Sequence, residues 1–484
     1  MNMRLNLVDM AALSPLFIVL AGALLILLVE SFAEKLAKIF SFPLTLFTLI
    51  AAVFALYTMP LSTNGLLTTW IRFDSLGRFF TAFFLLIGIG VACLSSAFFK
   101  RIENTQGEYY FLLLCSIFGL ILIGLAADFL TLFIGIETLS IALYILCAYM
   151  KKWGMSQEAS IKYFLMGSLA AAFLLYGIAL IYGAIGTTHL SGLLEGYQNL
   201  SLASDKLLFL SGVVFLTFGL AFKAAIVPFH TWAPDAYDGA SNPVTAFMAV
   251  GTKAGAFAAL VRVFLEALPN FDSYWSHIMA FLALITLIYA NFVALQQTQL
   301  RRFFAYSGIS HAGFLLIPLA AGGSDALPAL LFYLVVYATA TLGAFSILAF
   351  LDRGSQGVML QDLKGLFERA PFLTCVFALC LLTLAGIPPF IGFFAKFYIF
   401  MVAFKAGYYA LVIAGLLTTI LSAYYYLRMI GAMFSSASSE PTSTHSWPAL
   451  TLGCASFLIL GIVSFFPGLF LNFLSDIFQN PPSF

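Results

Sequence analysis

The segment "FLSGVVFLTFGLAFKAAIVPFHTWAPDAY", residues 209 to 237, decides how this chain folds. Its first fourteen residues carry no charge and suit a membrane helix, yet Lys223 follows them and Pro228 comes five residues later. Proline lacks an N–H and clashes with the preceding turn, so the helix should break near Pro228. Carbonyl groups that such a break frees inside a membrane need protein or water around them. The segment therefore predicts a broken membrane helix with an ammonium group beside the break.

The rest of the chain has the composition of a membrane protein. Of 484 residues, 62% are hydrophobic and only 9% are charged, which is far more apolar than a soluble globular protein. The long helical patterns and short polar links also exclude an outer-membrane β-barrel. Apolar windows of about 20 residues predict fourteen spans, near residues 12-32, 40-60, 76-99, 109-126, 128-150, 160-186, 206-227, 241-267, 276-296, 302-323, 326-351, 371-400, 407-434 and 447-474.

The links between the spans differ in their content of basic residues, and this difference predicts the orientation. One alternate set of links holds eleven: Lys35, Lys38, Lys100, Arg101, Lys151, Lys152, Arg301, Arg302, Arg353, Lys364 and Arg369. The N-terminal segment and the opposite links hold only five: Arg4, Arg72, Arg78, Lys206 and Lys405. Because the excess marks the cytoplasmic side, both termini are predicted to lie on the non-cytoplasmic side.

A second proline break is predicted in "LAGIPPFIGFFAKF", residues 384 to 397, where Pro388 and Pro389 precede Lys396. Two interrupted spans, five spans apart and each near a lysine, are typical of paired repeats in a transporter fold. We predict an all-α polytopic membrane protein with about fourteen transmembrane helices and two inverted five-helix repeats, each with a broken helix. The predicted units are residues 1-105 (helices 1-3), 106-270 (first repeat, helices 4-8), 271-436 (second repeat, helices 9-13) and 437-484 (helix 14).

Several ionisable residues fall at membrane depth. The candidate site consists of Glu137, Lys162, Lys223, Lys253, His311 and Lys396. Each Lys or Glu at a helix centre costs roughly 2.5 to 3.5 kcal/mol on insertion, so the five together imply partners or water. Structural explanations stay open: Lys162 could extend its amine to the interface, and His311 could be a hydrogen-bonded core residue. Four charged residues near span ends suit interfacial anchors or structural pairs: Asp128, Arg262, Glu266 and Arg428.

A lysine and a carboxylate in such an interior can move a proton. An amine withdrawn from water holds its proton less tightly, and a carboxylate about 4 Å away returns about 4 kcal/mol at an effective dielectric near 20. If Glu137 reaches Lys223, its approach would load a proton and its retreat would release one. The broken helices would supply the hydrated path.

Cofactor motifs are absent from the sequence. None of the six cysteines forms a C-x-x-C pair, no G-x-G-x-x-G follows a strand, and there is no P-loop. We therefore expect no metal, nucleotide, flavin or iron–sulfur cofactor in this chain. The net charge of +1 gives no reason to expect nucleic-acid binding.

Five motifs resemble the antiporter-like subunits of respiratory complex I, the proton-pumping NADH:quinone oxidoreductase. They are "LFIGIETLS", "EASIKYF", "FKAAIVPFHTWAPDAYDGASNPVTAF", "QTQLRRFFAYSGISHAGF" and "LAGIPPFIGFFAKFYIF". The resemblance covers essentially the whole chain. The "EASIKYF" form and a lysine rather than a glutamate at position 396 favour the N-type subunit, called subunit 2 in mitochondria.

The resemblance implies roles for the candidate residues. Glu137 looks like the span-five carboxylate that pairs with a span-seven lysine, here Lys223. Lys253 looks like the central span-eight lysine, Lys396 like the terminal lysine on the second broken helix, and Lys162 like an extra span-six lysine. His311 lies in the stretch that family members commonly show as "SISH".

The resemblance also implies a setting. FMN, iron–sulfur clusters and quinone are expected in partner subunits, and the neighbours would be an M-type subunit and small K-, J- and A-type subunits in a bacterial inner membrane. Membrane lipid and protons would be the other partners. The alternatives are a subunit of a multi-protein cation/proton antiporter or of a membrane-bound hydrogenase, a solute transporter acting alone, and a non-pumping scaffold.

Overall fold

The computed structural model describes residues 11–58, 69–101, 107–268, 272–352, 354–436, 447–468, 471, 472 and 474. Within these residues the chain is helical, and the only β-type pairings are isolated bridges. The main helices are α1 Ser14–Phe32, α2 Glu34–Ala55, α3 Ser75–Arg101, α4 Gly107–Leu125, α5 Phe129–Cys147, α6 Gly154–Ile185, α7 Ala203–Lys223, α8 Asn242–Ala267, α9 Asp272–Ala294, α10 Leu300–Ala321, α11 Ala326–Leu351, α12 Pro371–Ala385, α13 Ile391–Lys405, α14 Tyr409–Phe434 and α15 Trp447–Phe465. Short helical pieces are Leu56–Thr58, Leu190–Gly192, Leu193–Gln198, Trp232–Gly239, Gly354–Gln356, Leu360–Leu363 and Leu366–Arg369.

The fold class predicted from hydropathy is confirmed. Twelve helices of the described chain, α1 to α11 and α14, are long and apolar enough to cross a membrane, and α12 and Leu450–Phe465 are shorter apolar helices. Each of the fourteen predicted spans coincides with at least one helix, and the span predicted at 371-400 consists of α12 and α13. The boundaries shift in places, since α6 begins at Gly154 and α7 ends at Lys223.

The division into repeats stays a prediction. Its boundaries at 105/106, 270/271 and 437 lie at residues outside the described part of the chain, as does the end of the span predicted to reach residue 60.

Both broken helices end their first half in the same way, at the positions predicted from Pro228, Pro388 and Pro389. Ala225 (φ 57°) and Gly386 (φ 77°) adopt the left-handed conformation just past the ends of α7 and α12. In each case the next residue donates its N–H to the carbonyl five residues back, at 2.9 and 3.3 Å, which is the bond of a Schellman cap. Three residues after the left-handed residue comes a cis peptide bond to Pro228 or to Pro389. Capping of this kind satisfies carbonyls that the break would otherwise leave exposed.

Other polar groups at the first break also find protein partners. The N–H of Val227 donates to Thr286 Oγ1 on α9 at 3.1 Å, and Trp232 Nε1 donates to the carbonyl of Phe222 at 2.8 Å. The break is therefore tied both to its own helix and to the first helix of the second predicted repeat.

Helix α8 lies at the centre of the protein, and residues 242–264 are all buried. It is not a uniform α-helix: Met248–Thr252 and Val261–Ala267 have π-helical hydrogen bonding, and the α-helical stretch Lys253–Leu260 lies between them. Short π segments occur frequently at functional sites. Lys253 directly follows the first of them.

A buried arginine fixes the C-terminal end of α8. The Arg262 guanidinium donates to both oxygens of Asp74 (2.5 and 2.7 Å), to Glu266 (2.7 Å) and to the carbonyl of Gly124 at the end of α4 (3.1 and 2.7 Å). Burial raises the pKa of Asp74, but the hydrogen bonds and charge of Arg262 outweigh burial, and the pKa ends below its ordinary value. This cluster is the structural pair predicted for Arg262 and Glu266.

A second buried arginine fixes the other end. Arg301 donates to Asp352 (2.8 Å) and to the carbonyls of Asp238 (3.3 Å), Ala240 (3.1 Å) and Gly354 (2.9 Å). These partners belong to the segment before α8 and to the link after α11. The central helix is thus held at both ends by fixed charges.

The other two predicted anchors also have partners in the structure. Asp128 Oδ1 accepts from the N–H of Leu130 at 2.7 Å and caps α5, and Arg428 donates to the carbonyl of Leu295 at 3.3 Å.

Candidate functional site

The predicted contact between Glu137 and Lys223 is present. Lys223 Nζ lies 3.7 Å from Glu137 Oε1, donates to Ser140 Oγ at 2.6 Å and reaches Tyr144 OH at 3.4 Å. Glu137, Ser140 and Tyr144 recur at helical spacing on α5, so one face of α5 surrounds the ammonium group. Lys223 itself is buried in the last turn of α7, where the carbonyl end of the helix favours a cation. Glu137 Oε1 is buried and accepts no hydrogen bond.

Lys253 is buried in the middle of α8 without a carboxylate among the described residues within 4 Å. Its ammonium donates to Tyr237 OH at 3.1 Å. Opposite it, α10 carries Gly308, where an added Cβ would lie 2.9 Å from Lys253 Nζ and 3.1 Å from Tyr337 OH. The glycine leaves the space in which the amine and the Tyr337 hydroxyl come close to α10.

His311 lies one helical turn after Gly308, and both of its ring nitrogens have hydroxyl partners. Nδ1 is 2.7 Å from Tyr333 OH on α11, and Nε2 is 3.2 Å from Tyr426 OH on α14. Tyr426 OH is in turn hydrogen-bonded to Ser307 Oγ. The hydrogen-bonded core histidine that the sequence left open is therefore present, with partners from two other helices.

Lys396 is buried on α13, and it too lacks a carboxylate within 4 Å among the described residues. Its ammonium donates to the carbonyl of Ala385 at 2.9 Å, reaches Ser422 Oγ at 3.4 Å and lies 4.6 Å from the ring centroid of Phe314. Ala385 is the last residue of α12. Lys223 and Lys396 occupy different positions relative to their prolines, yet both are associated with the C-terminal end of the first half of a broken helix.

Lys162 differs from the other candidates because it lies at the surface of the chain, with 47% of its side chain exposed. It pairs with Glu158 at 2.7 Å and with Asp235 at 3.3 Å, beside Arg302. The structure does not bring it into the buried set, and its geometry agrees with the alternative of a lysine that extends to the interface. Burial raises the pKa of nearby Asp238, against the opposing charge of Arg302.

The buried candidates form two groups separated by aromatic rings. Lys253 and Lys396 both lie against α10, which carries His311, and Gly308, His311 and Phe314 recur on α10 at helical spacing. Between Lys223 and Lys253 the contacts run through the rings of Tyr144, Tyr163, Trp232 and Tyr237, with centroid separations of 4.7, 4.4 and 6.3 Å. No group of three or more His, Cys, Asp or Glu side chains in the described ranges could hold a metal ion.

Sequence reasoning missed the hydroxyl groups that hold these charges. Ser140 could have been found, because it lies three residues after Glu137 on the same helical face. Tyr333 and Tyr337, four residues apart on α11, also share a face, but in an apolar helix they resemble ordinary packing residues. Tyr426 gave no signal at all, since only the fold places α14 against α10.

Comparisons with known proteins agree on one family. Residues 126–422 match the family described as NADH:quinone oxidoreductase/Mrp antiporter, TM. NADH-quinone oxidoreductase subunit N of Protochlamydia amoebophila is 60% identical over 99% of this chain and 100% of that protein. A chain of respiratory complex I from Thermus thermophilus, solved with bound aureothin, superposes with a TM-score of 0.80 at 32% identity, covering 95% of this chain and 98% of that one.

A chain of an archaeal respiratory complex, the membrane-bound sulfane sulfur reductase, superposes with a TM-score of 0.84 at 25% identity and covers 96% of each chain. The fold is therefore shared by two different respiratory membrane complexes, whereas the high sequence identity is to subunit N. The chain is an antiporter-like, multi-pass membrane subunit of respiratory complex I and belongs to the subunit N family of NADH-quinone oxidoreductases.

Proposed function

We propose that this chain moves protons across the membrane through its buried lysines, driven by electron transfer from NADH to quinone in other subunits. The single observation that supports this most is the row of three buried lysines, Lys223, Lys253 and Lys396, of which only Lys223 has a carboxylate nearby in the described part of the chain. The others are held by tyrosine and serine hydroxyls and by one backbone carbonyl.

The buried arginines supply an internal comparison. Arg262 and Arg301 each have a carboxylate at 2.8 Å or less, and a guanidinium does not lose its proton in proteins. Fixed charges of this kind are structural. An amine held by neutral groups can instead exist with or without its proton. Lys223 is the one lysine of the three with a carboxylate nearby in the described chain, and its hold on the proton changes when its side chain and that of Glu137 move apart.

Within this proposal the residues have distinct roles. Glu137 modulates the proton on Lys223, Lys253 is the central carrier, and Lys396 is the carrier at the second broken helix. Lys162, paired with Asp235 at the surface, would deliver or receive protons at the cytoplasmic side. His311 lies between Lys253 and Lys396 and would connect them.

The setting follows from the family. FMN, iron–sulfur clusters and quinone would reside in partner subunits, and an M-type subunit and small K-, J- and A-type subunits would be the neighbours in a bacterial inner membrane. The excess of basic residues on one set of links supports an orientation with both termini on the non-cytoplasmic side.

A double replacement separates pumping from a scaffold role. Exchanging Glu137 for Leu together with Lys223 for Met replaces an ion pair by apolar groups, which is often neutral or stabilising for a fold. A pump should lose proton transport while the complex still assembles and still reduces a soluble artificial electron acceptor with NADH. Unchanged proton transport in proteoliposomes would favour the scaffold and contradict the proposal.

The matching family description includes Mrp antiporters and the fold recurs in an archaeal respiratory complex, so the second candidate is a subunit of a cation/proton antiporter or of another respiratory membrane complex. Purification of the native assembly decides between them. Flavin content with NADH oxidation supports the proposal, whereas sodium transport without NADH oxidation, or a nickel centre, supports the alternative.

A further inference from the structure

Each helix break contains an N–H group that its own helix does not accept. Val227 directly precedes Pro228, and in an uninterrupted helix its N–H would donate to the carbonyl of Lys223. Ile391 is the first residue of α13, where N–H groups lack partners within the helix. The residue before it, Phe390, has no side-chain oxygen that could cap the helix. Both breaks therefore require a hydrogen-bond acceptor from elsewhere in the protein.

A hydroxyl group from a distant helix supplies that acceptor at both breaks. Thr286 Oγ1 on α9 accepts from Val227 at 3.1 Å, and Ser464 Oγ on α15 accepts from Ile391 at 2.9 Å. The two pairs are separated by 59 and 73 residues of sequence. In the order of the predicted spans, the helix that supplies the hydroxyl is in each case the second one after the broken helix. The two breaks are thus held by the same kind of contact.

We propose that Thr286 and Ser464 are positioning residues, which hold the two breaks in place and thereby fix the distance between each nearby lysine and its partners. This inference rests on the proposed function, because the position of a lysine matters for transport only if the lysine carries a proton. It adds two residues outside the broken helices to those on which proton transport depends.

At the first break, the contact with Thr286 lies one helical turn beyond Lys223. Lys223 Nζ lies 3.7 Å from Glu137 Oε1 and 2.6 Å from Ser140 Oγ on α5. The attraction between the two charges falls as they separate. If the break moves relative to α9, the end of α7 and the Lys223 side chain move with it relative to α5. The Thr286 hydroxyl therefore controls how strongly Lys223 holds its proton.

At the second break, Lys396 itself connects the two halves of the helix. Its ammonium donates from α13 to the carbonyl of Ala385, the last residue of α12, at 2.9 Å. The halves are already in close contact, since a Cβ added at Gly392 would collide with the carbonyl of Thr383. Because α15 also packs against α12, the bond from Ser464 to the first residue of α13 opposes separation of the two halves. It thereby preserves the contact of Lys396 with α12.

Two buried threonines on the broken helices are matched controls. Thr217 Oγ1 on α7 donates to the carbonyl of Val213 at 2.7 Å, and Thr374 Oγ1 on α12 donates to that of Ala370 at 3.0 Å. Both hydroxyls bond the preceding turn of their own helix, whereas Thr286 accepts from a different helix. Exchange of either control threonine for Val removes a buried hydroxyl from a broken helix and leaves the contact that holds the break intact.

The test compares Thr286→Val with Thr286→Ser and Thr217→Val in the assembled complex. Protons pumped per NADH oxidised are measured in proteoliposomes, and hydrogen exchange is measured for the peptide that contains Val227. We expect Thr286→Val to pump fewer protons per NADH and to exchange faster at Val227, because the buried N–H has lost its acceptor. Thr286→Ser keeps the hydroxyl and should restore both values, and Thr217→Val should match the unaltered complex. A loss of stability alone would reduce the amount of assembled complex but not the protons that this complex pumps per NADH.

Lys223→Ala separates the inference from the proposed function. If Lys223→Ala pumps normally, the proposed function and the inference are both overturned. If Lys223→Ala loses pumping, the inference alone is overturned when Thr286→Val pumps as Thr217→Val does, or when Thr286→Ser loses as much as Thr286→Val. If Thr286→Val does not assemble, Ser464→Ala and its control Thr374→Val decide the question: fewer protons per NADH in Ser464→Ala alone support the inference, and equal pumping in the two variants refutes it.

Discussion

Replacing Glu137 by Gln should uncouple the first lysine from its carboxylate with little change of shape. Glu137 Oε1 and Lys223 Nζ are 3.7 Å apart, and two unit charges at that distance attract by about 4.5 kcal/mol at an effective dielectric near 20. Removing that attraction weakens proton binding at Lys223 on the order of a thousandfold, since each 1.4 kcal/mol is a factor of ten. The 22% exposure of the Glu137 side chain makes this an upper figure. Proton pumping should fall sharply, while NADH reduces a soluble acceptor at the normal rate.

Glu158→Gln is the matched control for this experiment. Glu158 also contacts a lysine, at 2.7 Å from Lys162, but the two side chains are 67% and 47% exposed. Exposed pairs of this kind contribute about 0 to 1 kcal/mol, so pumping should change little. The reasoning is refuted if Glu137→Gln pumps normally, or if the exposed Glu158→Gln is impaired as much as the buried variant.

Three further predictions concern space and charge around the site. Gly308→Ala should displace the Lys253 ammonium and lower proton pumping in an assembled complex. In Gly431→Ala the added methyl group meets no neighbour within 4 Å, so pumping should be unchanged and the fold should be as stable or slightly more stable. Equal pumping in both variants would contradict this prediction. Gly386→Ala and Gly407→Ala both place a side chain at positive φ, so both should lower thermal stability. Only the Gly386→Ala methyl group also crowds Lys396, at 2.7 Å from its Cδ, so only this variant should also impair proton pumping. Asp74 has a lowered pKa in the folded protein, so its ion pair with Arg262 stabilises the fold at pH values above the ordinary carboxyl pKa. That stabilisation is lost as the pH falls through the lowered pKa. Thermal unfolding measured against pH should show this loss in the unaltered protein and not in Asp74→Asn.

The sequence was sufficient for the features that depend on single residues or on short spacing. Proline chemistry located both helix breaks, because the missing N–H and the ring clash act within one turn. Burial of Lys223, Lys253 and Lys396 followed from their depth in apolar runs, and the structure places all three in the interior.

The partners of those charges could not be predicted in the same way. The contacts of Lys223 with α5 span about 80 residues of sequence, and that of His311 with Tyr426 spans 115. Such pairings depend on which helix faces pack together, and apolar helices with weak sidedness do not encode this in their own pattern. Lys162 shows the converse, since hydropathy placed it inside a span while the packing of α6 leaves it at the surface.

The length of α6 has a consequence for the lipid around the protein. At 32 residues the helix is about 48 Å long, while the hydrocarbon layer of a bilayer is only about 30 Å thick. The helix must tilt, protrude or thicken the bilayer around it. The acyl-chain length of the lipid therefore determines whether the Lys162–Asp235 ion pair contacts headgroups or hydrocarbon. Reconstitution of the same protein in longer-chain phospholipids would remove water from this ion pair.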